Sequence, residues 1–437
     1  MARYRIALTL GFICSVLLAQ NRPQAFIGAQ IIPIEGAEIP NGVLVVHKGK
    51  VIAVGGAGTA IPGVAERHDA QGKIIMPGLV DTHSHIGMPE GADGSAPIQP
   101  DVRVLDSVNL RSSSVPKARA GGITTVNVMP GSGHLLSGQT IYLKLRGGQD
   151  LDQLEFNGLG AAPIGGMKMA NGTNPRRATG PFPGTRAKSA SLVREQFVKA
   201  QEYQRKIKDA GADAKKLPAR DLAMEALVEV LEGKRVVHHH THRHDDVLTV
   251  LRLQKEFGFK VVLHHVSEAW MIADEIAKSG AGASIIVIDS PGGKLEAKDL
   301  RMTNGAALEK AGVLTAFHTD DPITDSRWLM RSAALAVRAG MSRQKALEGL
   351  TLSGAKLLDL QDRVGSLRPG KDADFLLLSG DPLSVYTHIE QTWVEGKKVF
   401  DRTDPKDRLY AVGGYGASHD SDYPFDLLAL EAGEMYQ

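Results

Sequence analysis

Cysteine is almost missing from this chain. Cys14 is the only one among 437 residues, so no disulfide framework can form and no thiolate set is present to seal a structural zinc site. An excess of one charge is missing too. Lys plus Arg number 51 against 49 for Asp plus Glu, a formal charge of +2, which leaves no electrostatic footprint for nucleic acid. A bilayer-spanning run is also lacking. The apolar stretch at the start, Ile6 to Leu18, stops well short of the roughly 20 residues that cross a membrane. It follows Arg3 and Arg5 and precedes Ala19, the pattern of a secretory signal over residues 1–20 and hence of a periplasmic or secreted protein. Leu17, three residues before the end of that segment, is larger than the cleavage rule prefers. Removal of the segment takes Cys14 with it and leaves no thiol chemistry, while a domain this large needs no disulfides outside the cell.

What is present reads as globular. Hydrophobic residues make up 43% and the 48 glycines are scattered, and the length suits a large α/β barrel with an appended unit. From Ala25 to Ile75, short apolar runs such as Gly42-Val43-Leu44-Val45-Val46 and Lys50-Val51-Ile52-Ala53-Val54-Gly55 alternate with Gly and Pro, the texture of small strands and tight turns. The same texture returns at Asp374 to Leu378 and Thr392 to Phe400. These flanks predict a small β-sandwich built from both chain ends, residues 21–76 and 363–402. Between them, residues 77–362 alternate strand and helix: strands over 122–128, 166–170, 235–240, 260–265, 284–288 and 313–319, helices over 245–257, 267–279 and 304–311. That repetition predicts a (β/α)8 TIM-like barrel whose active site lies at the C-terminal strand ends. Residues 172–218 break the rhythm with a basic loop carrying Arg176, Arg177 and Arg186, followed by a charged helix over 191–209. Such a loop can cover a site or meet an anionic substrate. The tail over 403–437 receives no role.

The chemistry starts at Leu79-Val80-Asp81-Thr82-His83-Ser84-His85. Alternation along a strand places Asp81, His83 and His85 on one face, so two imidazoles project together from the strand end. Imidazole ligates zinc and similar ions, and the pair is half of a tetrahedral shell. Val237-His238-His239-His240-Thr241-His242-Arg243-His244 puts His238, His240, His242 and His244 on one face, with His240 or His242 at the mouth and His240 preferred. In Val261-Val262-Leu263-His264-His265, His265 shares the inner face of Val261 and Leu263, and His264 is expected to point away towards the helices. Leu314, Ala316, His318 and Asp320 share a face of the last strand. Four imidazoles and a carboxylate thus gather at C-terminal strand ends, a His-rich set with open positions that suits a catalytic metal.

These motifs, with His264-His265-Val266-Ser267-Glu268-Ala269, His318-Thr319-Asp320-Asp321-Pro322 and the closing Gly365-Ser366-Leu367-Arg368-Pro369-Gly370-Lys371-Asp372-Ala373-Asp374, resemble the amidohydrolase superfamily in its imidazolonepropionase-related branch, over roughly residues 25–401. The resemblance implies a metal-dependent hydrolase in which His83, His85 and Asp320 hold one divalent ion, zinc by the donor types. His240 and His265 would hold a second or orient the substrate. It implies further that Lys168, on the fourth strand, either carries a carboxyl group and bridges two ions or pairs as a cation with substrate or with Asp320. The deaminase branch carries a glutamate three residues after the strand-five histidine. Arg243 stands there, which argues against deamination.

Such an ion lowers the pKa of a bound water and polarises a carbonyl. Asp320 is the expected proton acceptor and donor, with His242 and His318 able either to stabilise an oxyanion or to pack behind the ligands. The expected reaction is cleavage of an amide or peptide-like carbon–nitrogen bond in a small-molecule substrate. Ester or organophosphate hydrolysis, or a non-catalytic metal-binding barrel, are the alternatives. A homo-oligomer is compatible with everything above.

Overall fold

The computed structural model describes residues 22–87, 93–157, 164–288 and 294–413. The expected signal segment, Cys14 and the tail beyond Gly413 lie outside them. No described helix is long and apolar enough to cross a membrane.

The first five strands are β1 (Gln24–Ile31), β2 (Ile39–His47), β3 (Lys50–Gly55), β4 (Glu66–Asp69) and β5 (Ile74–Pro77). Strand β6 (Leu79–Ser84) follows after a single glycine, Gly78. Strands β7 (Ile123–Val128), β8 (Leu136–Gln139), β9 (Ile141–Lys144) and β10 (Met167–Ala170) come next. The central region ends with β11 (Val237–Thr241), β12 (Val261–His265), β13 (Gly282–Ile285) and β14 (Thr315–Phe317). The chain returns through β15 (Phe375–Leu378), β16 (Ile389–Val394) and β17 (Lys397–Asp401).

Strands from the two chain ends share one eight-stranded sheet, ordered β17-β16-β15-β5-β1-β2-β3 with β4 beside β1. The junction is β15 against β5, antiparallel, with Phe375 opposite Pro77. Phe26, Phe375 and Trp393 pack ring to ring beneath it, centroids 4.9 to 5.5 Å apart, a contact that no local sequence pattern carries.

The central strands form two arcs, β6-β7-β9 and β14-β13-β12-β11-β10-β8. Strands β10 to β14 are mutually parallel, as the alternation of strand and helix predicts. The intervening helix His244–Phe257 shows why: Val247, Val250, Leu253 and Phe257 are buried at three- and four-residue spacing, and Gly258 ends it in the left-handed region at φ 77°. One stretch departs from a purely parallel barrel. Residues 136–144 run antiparallel both to β7, through β9, and to β10, through β8. The connection from Val128 to Leu136 is too short for a crossover helix, which takes a dozen residues or more, so the chain can only turn back.

The expected helix boundaries shift modestly. The charged helix runs Arg186–Ala210, so Arg186 opens the helix rather than belonging to the loop. The first residues of the tail form the helix Pro405–Val412, and Arg327 reaches the carbonyl of Gly413 at 2.9 Å just beyond it.

Candidate metal centre

Two backbone hydrogen bonds bring the first and last central strands together. The Asp320 amide donates to the His83 carbonyl at 2.8 Å, and the His85 amide donates to the Asp321 carbonyl at 3.1 Å. Asp320 adopts φ 51°, a left-handed conformation that Asp tolerates better than most residues. Its carboxylate oxygen Oδ1 thereby lies 3.0 Å from His83 Nε2 and 2.9 Å from His85 Nε2. His85 Nδ1 faces the Met129 carbonyl at 2.8 Å. A carbonyl only accepts, so Nδ1 carries a proton and the ring is held with Nε2 turned to Asp320. Two nitrogen atoms and a carboxylate oxygen thus converge with separations close to the ~3.3 Å edge of a tetrahedral zinc shell with bonds near 2.0 Å. A neutral imidazole here sets its lone pair against the carboxylate, which a proton or a cation between them resolves; two nitrogens and one carboxylate oxygen are a donor set that fits a divalent ion. Burial works to raise the Asp320 carboxyl, but the adjacent His83 and His85 outweigh it and hold the group well below the usual carboxylate range.

Lys168 is fully buried with Nζ 3.1 Å from His83 Nε2. Burial pulls its ammonium down to about 7, against the opposing pull of Asp320. The strand face expected from Gly166 and Ala170 is therefore the inner one. Gly166 itself is required, because a Cβ there would collide with the His238 ring and the Val236 carbonyl.

A second group comprises His240, His242 and His265, whose ligating atoms lie within 4.8 Å of one another. Ring centroids of His240 and His265 are 4.4 Å apart, and His242 stacks on His265 at 4.7 Å. His318 lies alongside His83 with centroids 4.9 Å apart and planes 18° from parallel, its Nδ1 held by Ser284 Oγ at 2.8 Å. Ser284 in turn meets Thr82 Oγ1 at 2.6 Å. His83, His265 and His318 form a further cluster able to share an ion.

His264 corrects the alternation argument. It faces inward with its neighbour, 5.0 Å from the His83 ring and 5.3 Å from that of His318. The reason is local: His265 has φ 68° and Val266 φ 40°, so the chain leaves the extended conformation on which the period of two depends. His264 Nε2 meets His238 Nδ1 at 3.0 Å, and His238 Nε2 meets the Tyr142 hydroxyl at 3.0 Å. Burial pushes His238 down to about 3, so this deep chain is neutral and serves as hydrogen-bonded floor.

The basic loop is largely engaged with the protein itself. Arg186 Nε lies 2.9 Å from both carboxylate oxygens of Asp246, Arg177 covers the Phe182 ring at 5.0 Å and donates to the Asn174 carbonyl, and Arg176 donates to the Gly184 carbonyl at 3.2 Å. Arg243, at the position that argues against deamination, turns out of the site to pair with Asp245 at 3.0 Å.

Sequence reasoning missed Lys294. Its Nζ lies 2.8 Å from His242 Nε2 and 3.2 Å from His240 Nε2. Its place shortly after the C-terminal end of β13 was the available signal, since loops there line the site in such barrels.

With this geometry in view, similarity becomes informative. A profile of the amidohydrolase family matches residues 74–400. The chain belongs to the amidohydrolase family. A solved amidohydrolase structure from Thermotoga maritima MSB8 is 35% identical with a TM-score of 0.80, covering 86% of this chain and all of that one. Amidohydrolase tasK of Hapsidospora irregularis is 27% identical over 78% of this chain, which spans only 38% of the length of tasK. Imidazolonepropionase of Xanthomonas oryzae pv. oryzae is 23% identical over 80% of this chain and 91% of its own length. The likeness places this amidohydrolase among metal-dependent hydrolases of carbon–nitrogen bonds with a TIM-like α/β barrel.

Proposed function

We propose that this amidohydrolase is an exported enzyme that cleaves an amide or peptide-like bond in a small molecule, with its metal ligands at His83, His85 and Asp320. The observation that carries the reading is the position of Asp320 Oδ1, 3.0 and 2.9 Å from the two imidazole Nε2 atoms. An ion held there, zinc by the nitrogen-rich donor set, would supply Lewis acidity and a water of lowered pKa. Asp320, anionic at neutral pH, accepts a proton from the attacking water and returns it to the leaving nitrogen. His85 stays oriented through the Met129 carbonyl. His240 and His265 would hold a second ion or orient the substrate, and Lys168 would either carry a carboxyl group that serves both ions or pair as a cation with substrate or with Asp320. Burial lowers its ammonium to about 7, which favours the neutral amine that reacts with carbon dioxide. His242 presents a lone pair to Lys294, which suits ligation better than oxyanion stabilisation. His318, clamped by Ser284, shapes the wall behind His83.

The same reading closes the two arcs into an eight-stranded barrel, with β8 and β9 counted as one strand broken at Thr140, through the bonds between residues 83–85 and 320–321. It folds the eight-stranded sheet as a small sandwich domain over residues 21–76 and 363–402, around Phe26, Phe375 and Trp393. Export rests on Arg3, Arg5 and the apolar stretch Ile6 to Leu18. Arg243 facing Asp245 favours amide hydrolysis over deamination. The test is metal analysis of purified enzyme with a turnover screen across dipeptides, N-acyl amino acids and cyclic amides. Zinc-dependent release of an amine is expected. Folded protein that takes up no metal from zinc-supplemented buffer overturns the reading.

A further inference from the structure

We infer that Lys294 is a built-in competitor for the second metal position, so that the centre takes up divalent ions in a fixed order. The inference rests on the metal-centre reading above and concerns only what the His240 side of that centre does. An ammonium has three N–H donors and no acceptor. Lys294 gives two of them to His242 Nε2 at 2.8 Å and His240 Nε2 at 3.2 Å, and its charge is balanced by Glu296, whose Oε1 lies 3.3 Å away as an ion pair. The two imidazoles therefore give the ammonium the same lone pairs that a metal ion requires. His242 Nδ1 lies 2.7 Å from Ser267 Oγ, so its ring is already held with Nε2 turned inward.

The two groups of ligands differ in how strongly they answer a cationic rival. The set His83, His85 and Asp320 includes a carboxylate, which favours a doubly charged ion. His240, His242 and His265 are all imidazoles, and two of the three already serve Lys294. Glu296 is buried and its other oxygen accepts the Thr173 amide at 2.9 Å, so the carboxylate that steadies Lys294 is itself fixed to the loop after β10. The Lys294 side chain keeps 18% of its surface exposed, which leaves it a route to withdraw towards solvent. Lys168 is completely enclosed and has no such route. A first ion can bind at His83, His85 and Asp320 with Lys294 in place, whereas a second must displace the ammonium from two imidazoles. Lys294 also keeps those buried lone pairs hydrogen-bonded until an ion arrives, sparing the cost of leaving them unsatisfied.

The experiment is equilibrium dialysis of the whole protein against graded zinc chloride, with bound metal counted by mass spectrometry, for wild type, Lys294→Met and Lys294→Arg. Circular dichroism checks that each is folded. The first equivalent should bind within twofold in all three. The second should bind at least tenfold more tightly to Lys294→Met than to wild type, and Lys294→Arg, which keeps a cation, should stay within threefold of wild type. Equal second-site affinity in Lys294→Met and wild type, or no second equivalent in either, overturns the role of Lys294. Failure of the first equivalent to bind overturns instead the metal-centre reading on which it rests.

Discussion

Lys144→Met should destabilise this protein substantially without touching its chemistry. Lys144 ends β9 and is fully buried. Its ammonium meets the Asp372 carboxylate, and lies 3.2 Å from Asp374 Oδ2 and 3.2 Å from Glu395 Oε1. Methionine keeps the length of the side chain and removes the charge. Asp372 then retains Lys50 at 2.5 Å and Arg363 at 2.8 Å, and Glu395 retains Arg146 at 2.8 Å. Asp374 keeps only the Glu395 amide at 2.8 Å and becomes a buried carboxylate without a cation. Breaking a buried pair costs about 3–5 kcal/mol. The surviving guanidiniums argue for the low end, about 3 kcal/mol, or roughly 6 °C in Tm at about 2 °C per kcal/mol for a chain of this size.

The pH dependence carries a second check on the same network. Burial tends to raise Asp372 and Glu395, but Lys144 with Lys50 and Arg363 holds Asp372, and Arg146 with Lys144 holds Glu395, down at about 2. A depressed carboxylate stabilises the fold above its unfolded pKa, and that stabilisation is lost as pH falls through the folded value. The gap between wild type and Lys144→Met should therefore be full at pH 7.5 and narrow as pH falls and the carboxylates protonate, beginning with Asp374, which burial holds above its usual range. Thermal and urea unfolding at pH 7.5 and in acid provide the assay, and Lys144→Met with Asp374→Asn should recover part of the loss. Lys144 lies opposite Thr125, near the start of β7, so metal content and turnover at 25 °C should be unchanged. A Tm shift under about 1 °C at pH 7.5, or a gap that does not change with pH, would refute the reasoning.

Asp320→Asn should lower turnover by about 10²–10⁴-fold, the usual range for a lost general base, with an unchanged circular dichroism spectrum; near-normal turnover removes Asp320 from its role. Stripping metal with a chelator should lower Tm, since a ligand at about 1,000 times its Kd stabilises by about 4 kcal/mol, and zinc should restore it. Tyr142→Phe deprives His238 Nε2 of its partner at 3.0 Å and should cost about 1–3 kcal/mol in urea unfolding, while KM stays within twofold. Arg186→Gln leaves Asp246 without its cation beside Glu296. Limited proteolysis should then cut residues 172–186 faster than in wild type, and an unchanged cleavage rate would show that the pair does not hold the loop.

How much of the centre could be read from the chain depended on distance along it. His83 and His85 are two residues apart on a strand, so the period of two suffices to put their rings side by side. His240, His265 and Asp320 were reachable because a barrel gathers every C-terminal strand end at one face. The reading failed where the backbone leaves the extended region. At His265, φ 68° turns both His264 and His265 inward, and no composition or spacing announces that bend. Arg186 misled for a different reason. A basic residue in a loop looks available for an anion until its partner, Asp246, sixty residues away in sequence, is brought against it.

The sequence by itself determined which candidate ligands are present, their order and the strand ends that carry them, because these follow from residue identity and local periodicity. Tertiary structure alone decided that Asp320 Oδ1 stands about 3 Å from two imidazole nitrogens and that Lys294 rests on His240 and His242. Each of those depends on contacts between segments far apart in the chain, where the packing of whole strands and loops, rather than any local preference, fixes which atoms meet.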